Sequence, residues 1–429
     1  MLVAGITAAG PVGAGDGTRT RIRRIAPGAF HHRLRIAEGP YQIHVLKVNL
    51  AMQSTIDTVL ATDKLPGYER TSSMARRSRA IAAVNGDYAR PSGRPVYAFA
   101  RDGFLDQTSL LWGRNFALSI TETEAFFGHP NLTAWTEDPA TATIRSIDRV
   151  NAGPPRFNEV AMFTPSGAIE ELPPESACSV RLYPLESPRI RAGQPGVDAI
   201  HTVDAVLCRP RRMRRLGGVV LATPSSGPRA AEISSLIPGQ QLTLTWSLGW
   251  AEVFDAVGGN PTLVENRRIM WDQVTGSDLF FQRHPRTGVG ITGDGRLLLV
   301  TVDGRQPGYS VGMTLARFAR LMHDLGATWA LNLDGGGSTT FVVRGDVKNR
   351  PSDGPERAVS SAIVLLPVAD PGEWHAPPEP VAPGASAAAV WDAVVADPAS
   401  TGGLSDMLDA RGVRLPPALE AAAESFRSR

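Results

Sequence analysis

The stretch from Thr287 to Leu366 leaves the chain few ways to fold. RLLLVTVDG is a short run of apolar and β-branched residues closed by a turn signal, the pattern of a buried strand. TLARFARLMHDLG follows, with Leu315, Phe318, Ala319, Met322 and Leu325 on one helical stripe. Thr314 is placed to cap that helix and Gly326 to stop it. WALNL, the turn Asp334-Gly335-Gly336-Gly337-Ser338, TTFVV and AVSSAIVLL then supply three more strands. The order strand, helix, strand, strand, strand predicts an α+β domain in which a helix covers one face of a sheet.

Upstream, YQIHVLKVNL from Tyr41 alternates apolar and polar residues like a half-buried strand. A polar, Arg-rich helical stretch near Arg70–Arg79 leads into AIAAVNGDYA, an apolar strand broken at Asn85-Gly86-Asp87. VAMFTP, SVRLYP, GVVLAT and QLTLTWSL mark an antiparallel β-rich section between Phe116 and Leu248. Residues 1–27, Gly/Ala-rich and then Arg-rich, are expected to form a flexible N-terminal arm or residual leader. PVADPGEWHAPPEPVAPGASAAA places a Pro/Ala-rich linker at 368–387, and 388–429 is expected as a short helical or disordered tail. The expected fold is α+β: a mixed or antiparallel β-sheet core with few covering helices, in one large domain over 28–367 whose clearest part is 287–367.

A formal net charge of +2 gives no charge excess that would recruit nucleic acid or an anionic membrane. No segment is long and apolar enough to cross a bilayer as a helix. The positive charge is almost all arginine, with lysine only at Lys47, Lys64 and Lys348; the arginine fork suits phosphate and carboxylate. Cys178 and Cys208 sit in no metal-ligand spacing, and one disulfide or two buried thiols both fit. The histidines show no HExxH or paired-ligand pattern, and there is no GxSxG elbow, Walker loop or Rossmann GxGxxG.

Chemistry is concentrated at strand-ending turns: Asn85-Gly86-Asp87, Asp303-Gly304-Arg305 and Asp334-Gly335-Gly336. Each alone is an ordinary hairpin signal. Turns after buried strands can converge on one sheet edge, and the glycines after Asp334 would let an anion reach bare backbone N–H groups. Arg286 and Arg357 stand at the margins of apolar segments; for Arg357, adjacent to Glu356 and near Asp353, a plain salt bridge is the competing reading. Carboxylates with arginines suit phosphate-ester or sugar-phosphate chemistry.

On AAVNGDYA, VGGNPTLVENR, HPRTGVGIT, LLLVTVDGR, SVGMTLARFARLMHDLGATWALNLDGGGSTTFVV and NRPSDGPERAVSSAIVL, in that order, the chain resembles the phosphodiester glycosidase family. The resemblance implies cleavage of the glycosidic bond of an α-linked N-acetylglucosamine phosphodiester. It implies a site near Asn85, Asp87, Arg286, Asp303, Arg305, Asp334, Gly335, Gly336, Gly337, Ser338 and Arg357. Asp334 is expected as nucleophile or base with Asp303 as its partner and Asp87 as a third carboxylate, Arg305 and Arg357 on phosphate. The chemistry requires no cofactor, and a divalent cation (Ca or Mg) among the carboxylates is compatible with it. The expected partner is a phosphodiester-linked glycan of the cell envelope, in keeping with the family's exported bacterial members; oligomeric state is left open. Two other readings use the same residues: a non-catalytic envelope glycan-binding module, and a metal-dependent phosphodiesterase that cuts P–O.

Overall fold

The computed structural model describes residues 18–50, 54–101, 104–108, 117–120, 125–128, 133–164, 177–184, 199–208, 218–247, 255–271 and 281–367, together with Met52 and Met213. The linker and tail expected at 368–387 and 388–429, and residues 1–17 of the expected arm, lie outside them. The chain divides into two compact units. Among the described residues, one holds those within 18–101, 117–128 and 255–367; the other holds those within 104–108 and 133–247. The stretch 28–367 expected as one large domain thus contributes to both.

Two antiparallel sheets form the centre of the first unit. In the larger, the strands run Arg19–Ala26, Ala29–Ile36, Tyr41–Val48, Leu297–Val302, Arg286–Thr292, Ala327–Asn332, Thr262–Glu265, Arg268–Ile269. In the smaller they run Asp346–Val347, Phe341–Val343, Ala82–Asn85, Ser361–Pro367, Ser54–Leu60.

Period-two alternation sorts their side chains into layers. Leu297, Leu299 and Leu331 join one core with Val84, Phe341, Ile363 and Leu365, so the two sheets face each other. The other face of the larger sheet, including Leu298, Val300 and Val302, packs on Leu315, Phe318, Ala319 and Met322 of the helix Leu315–Asp324. The outer face of the smaller sheet sets Ala83, Val342, Ala362 and Val364 against Met74 and Ala75 of the helix Thr71–Arg77. Helix, sheet, sheet and helix make four layers. A central strand buried on both faces is apolar nearly throughout, and Leu297–Val302 reads LLLVTV with Thr301 as its one polar member.

The expected helix forms where Thr314 Oγ1 accepts from Arg317 N at 3.2 Å, and Gly326 takes φ +95° just beyond its end. Two expectations are corrected. Tyr41–Val48 is not half-buried: its polar members Gln42 and His44 are 4% and 1% exposed, because their alternate face is turned toward the second sheet rather than to water. The arm ends earlier than residue 27, since Arg19–Ala26 pairs antiparallel with Ala29–Ile36 around Pro27-Gly28. The chain before that turn hydrogen-bonds to a sheet edge despite its arginine content.

In the second unit the β-rich section is an eight-stranded sheet, ordered Thr143–Ile147, Thr133–Asp138, Gln241–Ser247, Ala199–Leu207, Ala177–Pro184, Val219–Pro224, Ala161–Phe163, Arg149–Val150. All its pairings are antiparallel except that of Arg149–Val150 with Ala161–Phe163. Ser179 pairs with Leu207, so Cys178 and Cys208 fall opposite each other one step further along, and they are disulfide-bonded. Among the described residues no helix is long and apolar enough to cross a membrane.

Candidate active site

Antiparallel register brings the chemistry-bearing turns to one end of the sandwich. Arg286 pairs with Val302, so Asp303 leaves the sheet beside it; Gly288 pairs with Asn332, so Asp334 leaves at the same end. In the smaller sheet Asn85 pairs with Ala362, which puts Gly86 and Asp87 beside Ser361.

Asn85 ties the two sheets together there. Its Oδ1 accepts from Thr287 Oγ1 at 2.9 Å and Thr340 N at 3.1 Å, and its Nδ2 donates to the Asp334 carbonyl at 2.7 Å. Gly86 completes the join: its carbonyl accepts from Asp334 N at 3.2 Å, and a Cβ at Gly86 would lie 2.6 Å from Ser361 Oγ. Asn85 therefore fixes the backbone of Asp334 and leaves the carboxylate of that residue to other partners.

Asp334 is only partly buried. Burial pushes its carboxyl up to about 6; hydrogen bonds from Ser338 and Gly335 N–H and the charge of Arg357 oppose that rise. A carboxyl near 6 changes protonation close to neutral pH, where acid–base catalysis is most effective.

The glycines after Asp334 serve close packing more than anion binding. Gly336–Ser338 is one turn of 3₁₀ helix, with Gly336 at φ +62°. A Cβ at Gly335 would sit 2.8 Å from the Pro285 carbonyl, and one at Gly336 would sit 3.0 Å from Arg305 Nη2. At Gly337 it would overlap both Asp353 and Arg357. The expectation of a bare N–H nest is corrected accordingly. Gly335 N–H bonds the Asp334 carboxylate, Gly336 N–H donates to Pro285 O at 2.9 Å, and Ser338 N–H donates to Gly335 O at 3.2 Å. Only the Ser338 bond, and that of Thr339 N–H to Gly336 O at 3.3 Å, are the i→i+3 closures of a 3₁₀ turn; the Asp334 carboxylate and Pro285 take the donors of Gly335 and Gly336.

The arginines differ in what they are free to do. Arg305, exposed and at φ +61°, donates Nε to His284 Nδ1 at 3.2 Å and lays its guanidinium against Gly336. Arg357 is exposed and ion-paired with Asp353, as the salt-bridge reading anticipated, while Glu356 is taken up by Ser72 N at 2.7 Å. Arg286 is 3% exposed; it donates to the carbonyls of Met313 at 2.9 Å and Gln282 at 2.8 Å. Burial, and the nearby charge of Arg305, hold it down to about 10, so it stays charged at neutral pH.

The other two carboxylates are deeper. Asp303 is 1% exposed and accepts from Asn349 Nδ2 at 3.0 Å, Arg350 N at 3.2 Å and Tyr309 OH at 3.2 Å; burial still pushes its carboxyl above the usual range. Asp87 is fully buried, with Oδ2 accepting from Tyr97 N at 2.6 Å. Burial drives its carboxyl well up, and the Asp334 charge adds to that.

Residues that sequence reasoning left unassigned complete the surroundings. Asn332 Nδ2 donates to Tyr88 OH and to Asn260 O, and Tyr88 OH donates to Asn260 O at 2.8 Å. An asparagine inside the apolar strand Ala327–Asn332, two positions before Asp334, was the available signal. Thr287, Thr340 and Asn349 gave no signal, because their roles depend on partners distant in the chain. Among the described residues no group of three or more His, Cys, Asp or Glu side chains could hold a metal ion.

Residues 213–366 match the sequence profile of the phosphodiester glycosidase family. Over 83 residues the chain is 41% identical to the prophage-derived protein YomE of Bacillus subtilis (strain 168), covering 19% of this chain and 13% of that protein. Over 99 residues it is 37% identical to mouse N-acetylglucosamine-1-phosphodiester α-N-acetylglucosaminidase, covering 22% of this chain and 19% of the enzyme. The match thus spans less than a fifth of either relative's length. The fold is shared with a hypothetical protein from Synechocystis, at TM-score 0.62 and 19% identity over 79% of this chain and 62% of that one. It is also shared with a protein of Burkholderia pseudomallei K96243 provisionally named as exported, at TM-score 0.61 and 18% identity over 83% of this chain and 97% of that one.

Proposed function

From the phosphodiester glycosidase match over residues 213–366, we propose that this chain hydrolyses the glycosidic bond of an α-N-acetylglucosamine-1-phosphodiester or a closely similar sugar phosphodiester. The observation that carries the reading is Asp334: a half-buried residue whose carboxyl is raised to about 6, on a turn flanked by Arg305 and Arg357.

In such a substrate the leaving group is a phosphate monoester, which needs little protonation to depart. The site must then neutralise phosphate charge and stabilise an oxocarbenium-like anomeric centre. Arg305 takes the phosphate in this reading, with Arg357 beside it and buried Arg286 adding positive potential. Asp334 faces the anomeric carbon as nucleophile or base. Asp303, whose oxygens already accept from three residues, positions the Asn349–Arg350 segment and Tyr309. Asp87, fully buried, has its carboxyl pushed up by burial and by the Asp334 charge, and its Oδ2 accepts from Tyr97 N, so it serves this reading as a positioning group. The natural substrate is proposed to be a cell-envelope glycan or glycolipid met outside the cytoplasm. The disulfide suits an oxidising compartment.

Hydrolysis of a synthetic α-N-acetylglucosamine-1-phosphodiester in ¹⁸O-water tests the reading. Label on the released sugar, together with a phosphate monoester, is expected. Label on phosphate would instead establish P–O cleavage, and binding without turnover would establish a glycan-binding module.

A further inference from the structure

A cavity of 400 Å³ opens between the Arg-rich edge of the larger sheet and the Val343–Lys348 hairpin of the smaller one, and none of the proposed catalytic residues lines it. Pairing of Arg21 with Arg33, and of Arg33 with His44, sets these three in one row across three strands. Arg23, two residues from Arg21 and on the same face, pairs with His31. Like charges directly opposed on a sheet destabilise it; Tyr309 and the Asp303 charge give Arg33 partners of its own, but neither accounts for Arg21 opposite it with Arg23 alongside. Arg344 and Lys348 add positive charge from the facing hairpin. The single carboxylate lining the cavity, Asp346, is already bonded to Lys348 at 2.8 Å.

The inner end is aromatic and polar. His31 and His44 stack with ring centres 5.2 Å apart, His31 also stacks on Phe341, and Nε2 of His31 lies 3.0 Å from Nδ1 of His44. His44 is 1% exposed, yet its Nε2 has no hydrogen-bond partner. When His31 gives its Nε2–H to His44 Nδ1, the neutral His44 ring carries its own proton on that unpartnered Nε2. Burial, and then neighbouring positive charge, lowers His31 to about 4 and His44 to about 3, so both rings are neutral at physiological pH. In that tautomer His44, which lines the arginine-walled cavity, carries an unsatisfied donor.

We propose that this cavity binds an anion carrying two or more linked phosphates, gripped by Arg21, Arg23 and Arg33 on one wall and Arg344 on the other, with His44 Nε2–H donating from the inner end. Arg21 and Arg23 project about 7 Å apart along their strand, which suits successive phosphates better than one. The anion could reach the cavity as part of a polymeric phosphodiester that also enters the site at Asp334, or as a free oligophosphate. The binding itself does not rest on the hydrolase reading; only the first of these sources does.

The test is calorimetric titration of the full-length chain with inorganic tripolyphosphate and with orthophosphate, in an Arg305→Ala background so that the turn at Asp334 does not contribute. Tripolyphosphate is expected to bind at least about tenfold more tightly than orthophosphate and to weaken steeply between about 50 and 500 mM NaCl. Arg21→Ala/Arg33→Ala, and separately Arg344→Ala on the opposite wall, should each reduce its affinity at least about fivefold with the melting temperature retained. Wild-type affinity in both variants, or no preference for tripolyphosphate, would overturn the proposal. With Arg305 restored, KM separates the sources. A rise in Arg21→Ala/Arg33→Ala for a polymeric phosphodiester but not for a monomeric one identifies the polymer, and an unchanged KM for both identifies a free oligophosphate. If neither substrate turns over, the hydrolase reading fails and the calorimetric result still stands.

Discussion

Asp303-Gly304-Arg305 and Asp334-Gly335-Gly336 are the same device in sequence, an aspartate and glycine at the end of a buried strand, and they leave adjacent parts of one sheet. Their carboxylates are treated differently. Asp303 is 1% exposed and held by Asn349, Arg350 N–H and Tyr309, whereas Asp334 remains partly exposed with Ser338 and Gly335 N–H as its hydrogen-bonding partners. The difference lies in what each turn is bonded to through its main chain. Asn85 and Gly86 hold the Asp334 backbone, so its side chain need not anchor the loop. Asp303 anchors its surroundings with the carboxylate itself.

If that contrast is functional, Asp334→Asn should be the most damaging isosteric change to turnover. A reduction of about a thousandfold in kcat, about 4 kcal/mol, is expected for losing a carboxylate at the reacting centre. Asp303→Asn should cost turnover far less, about tenfold or under. Steady-state rates on one sugar phosphodiester decide the point, and equal losses would remove the distinction between the two turns.

Asp303→Asn should instead be felt in stability. An amide puts a donor where Tyr309 OH, Asn349 Nδ2 or Arg350 N–H now donates, so at least one charge-assisted bond is lost in a buried place, at a cost of about 2–3 kcal/mol. Chemical denaturation of the two variants reads this directly. Asp334→Asn is expected to unfold at the same or higher denaturant concentration than the wild type, and the reverse ranking would contradict the assignment.

The pH dependence follows with a definite sign. The folded carboxyl of Asp334 lies near 6, above its ordinary value of 3.8. The folded state therefore holds this proton more tightly than the unfolded chain does. The associated stability is present in full below about pH 4 and is lost as pH rises through about 6. In activity, a nucleophile or base must be ionised, so kcat/KM should climb with pH through an apparent pKa near 6. A falling limb at that position would make Asp334 the acid. Asp334→Asn should abolish the limb and Asp303→Asn should preserve it.

The fold was more legible than the site, and for a physical reason. Strands such as Leu297–Val302 and the capped helix Leu315–Asp324 are specified by contiguous residues, so period and capping reveal them. Whether YQIHVLKV is half-buried or enclosed depends on a second sheet built from residues 54–85 and 341–367, which local alternation does not report. The same limit applied to the turns. The aspartates, arginines and glycines stand out in the sequence, and Arg357, expected on phosphate with a salt bridge as the competing reading, is ion-paired with Asp353. What fills the donors of Gly336 and the acceptors of Asp303 is set by Pro285 and Asn349, and neither is adjacent in the chain. The arginines of Arg19–Ala26 were misleading for a related reason. Their charge suggested solvated chain, but backbone pairing with Ala29–Ile36 makes them the wall of a cavity.

The smallest expected effect serves as the control on the whole contrast. The helix capped by Thr314 lies between the two turns in sequence and packs under the sheet that carries both. Thr314→Ala removes the acceptor for Arg317 N–H and should lower stability by about 1 kcal/mol. Because the helix supports the strands that lead into Asp303 and Asp334 alike, the loss should fall on the scaffold and on neither carboxylate in particular. The melting temperature should drop by a few degrees, while the apparent pKa near 6 in kcat/KM stays in place. A shift of that limb in Thr314→Ala would mean that the helix tunes Asp334, and that the Asn85 and Gly86 bonds do not isolate its backbone from the rest of the sheet.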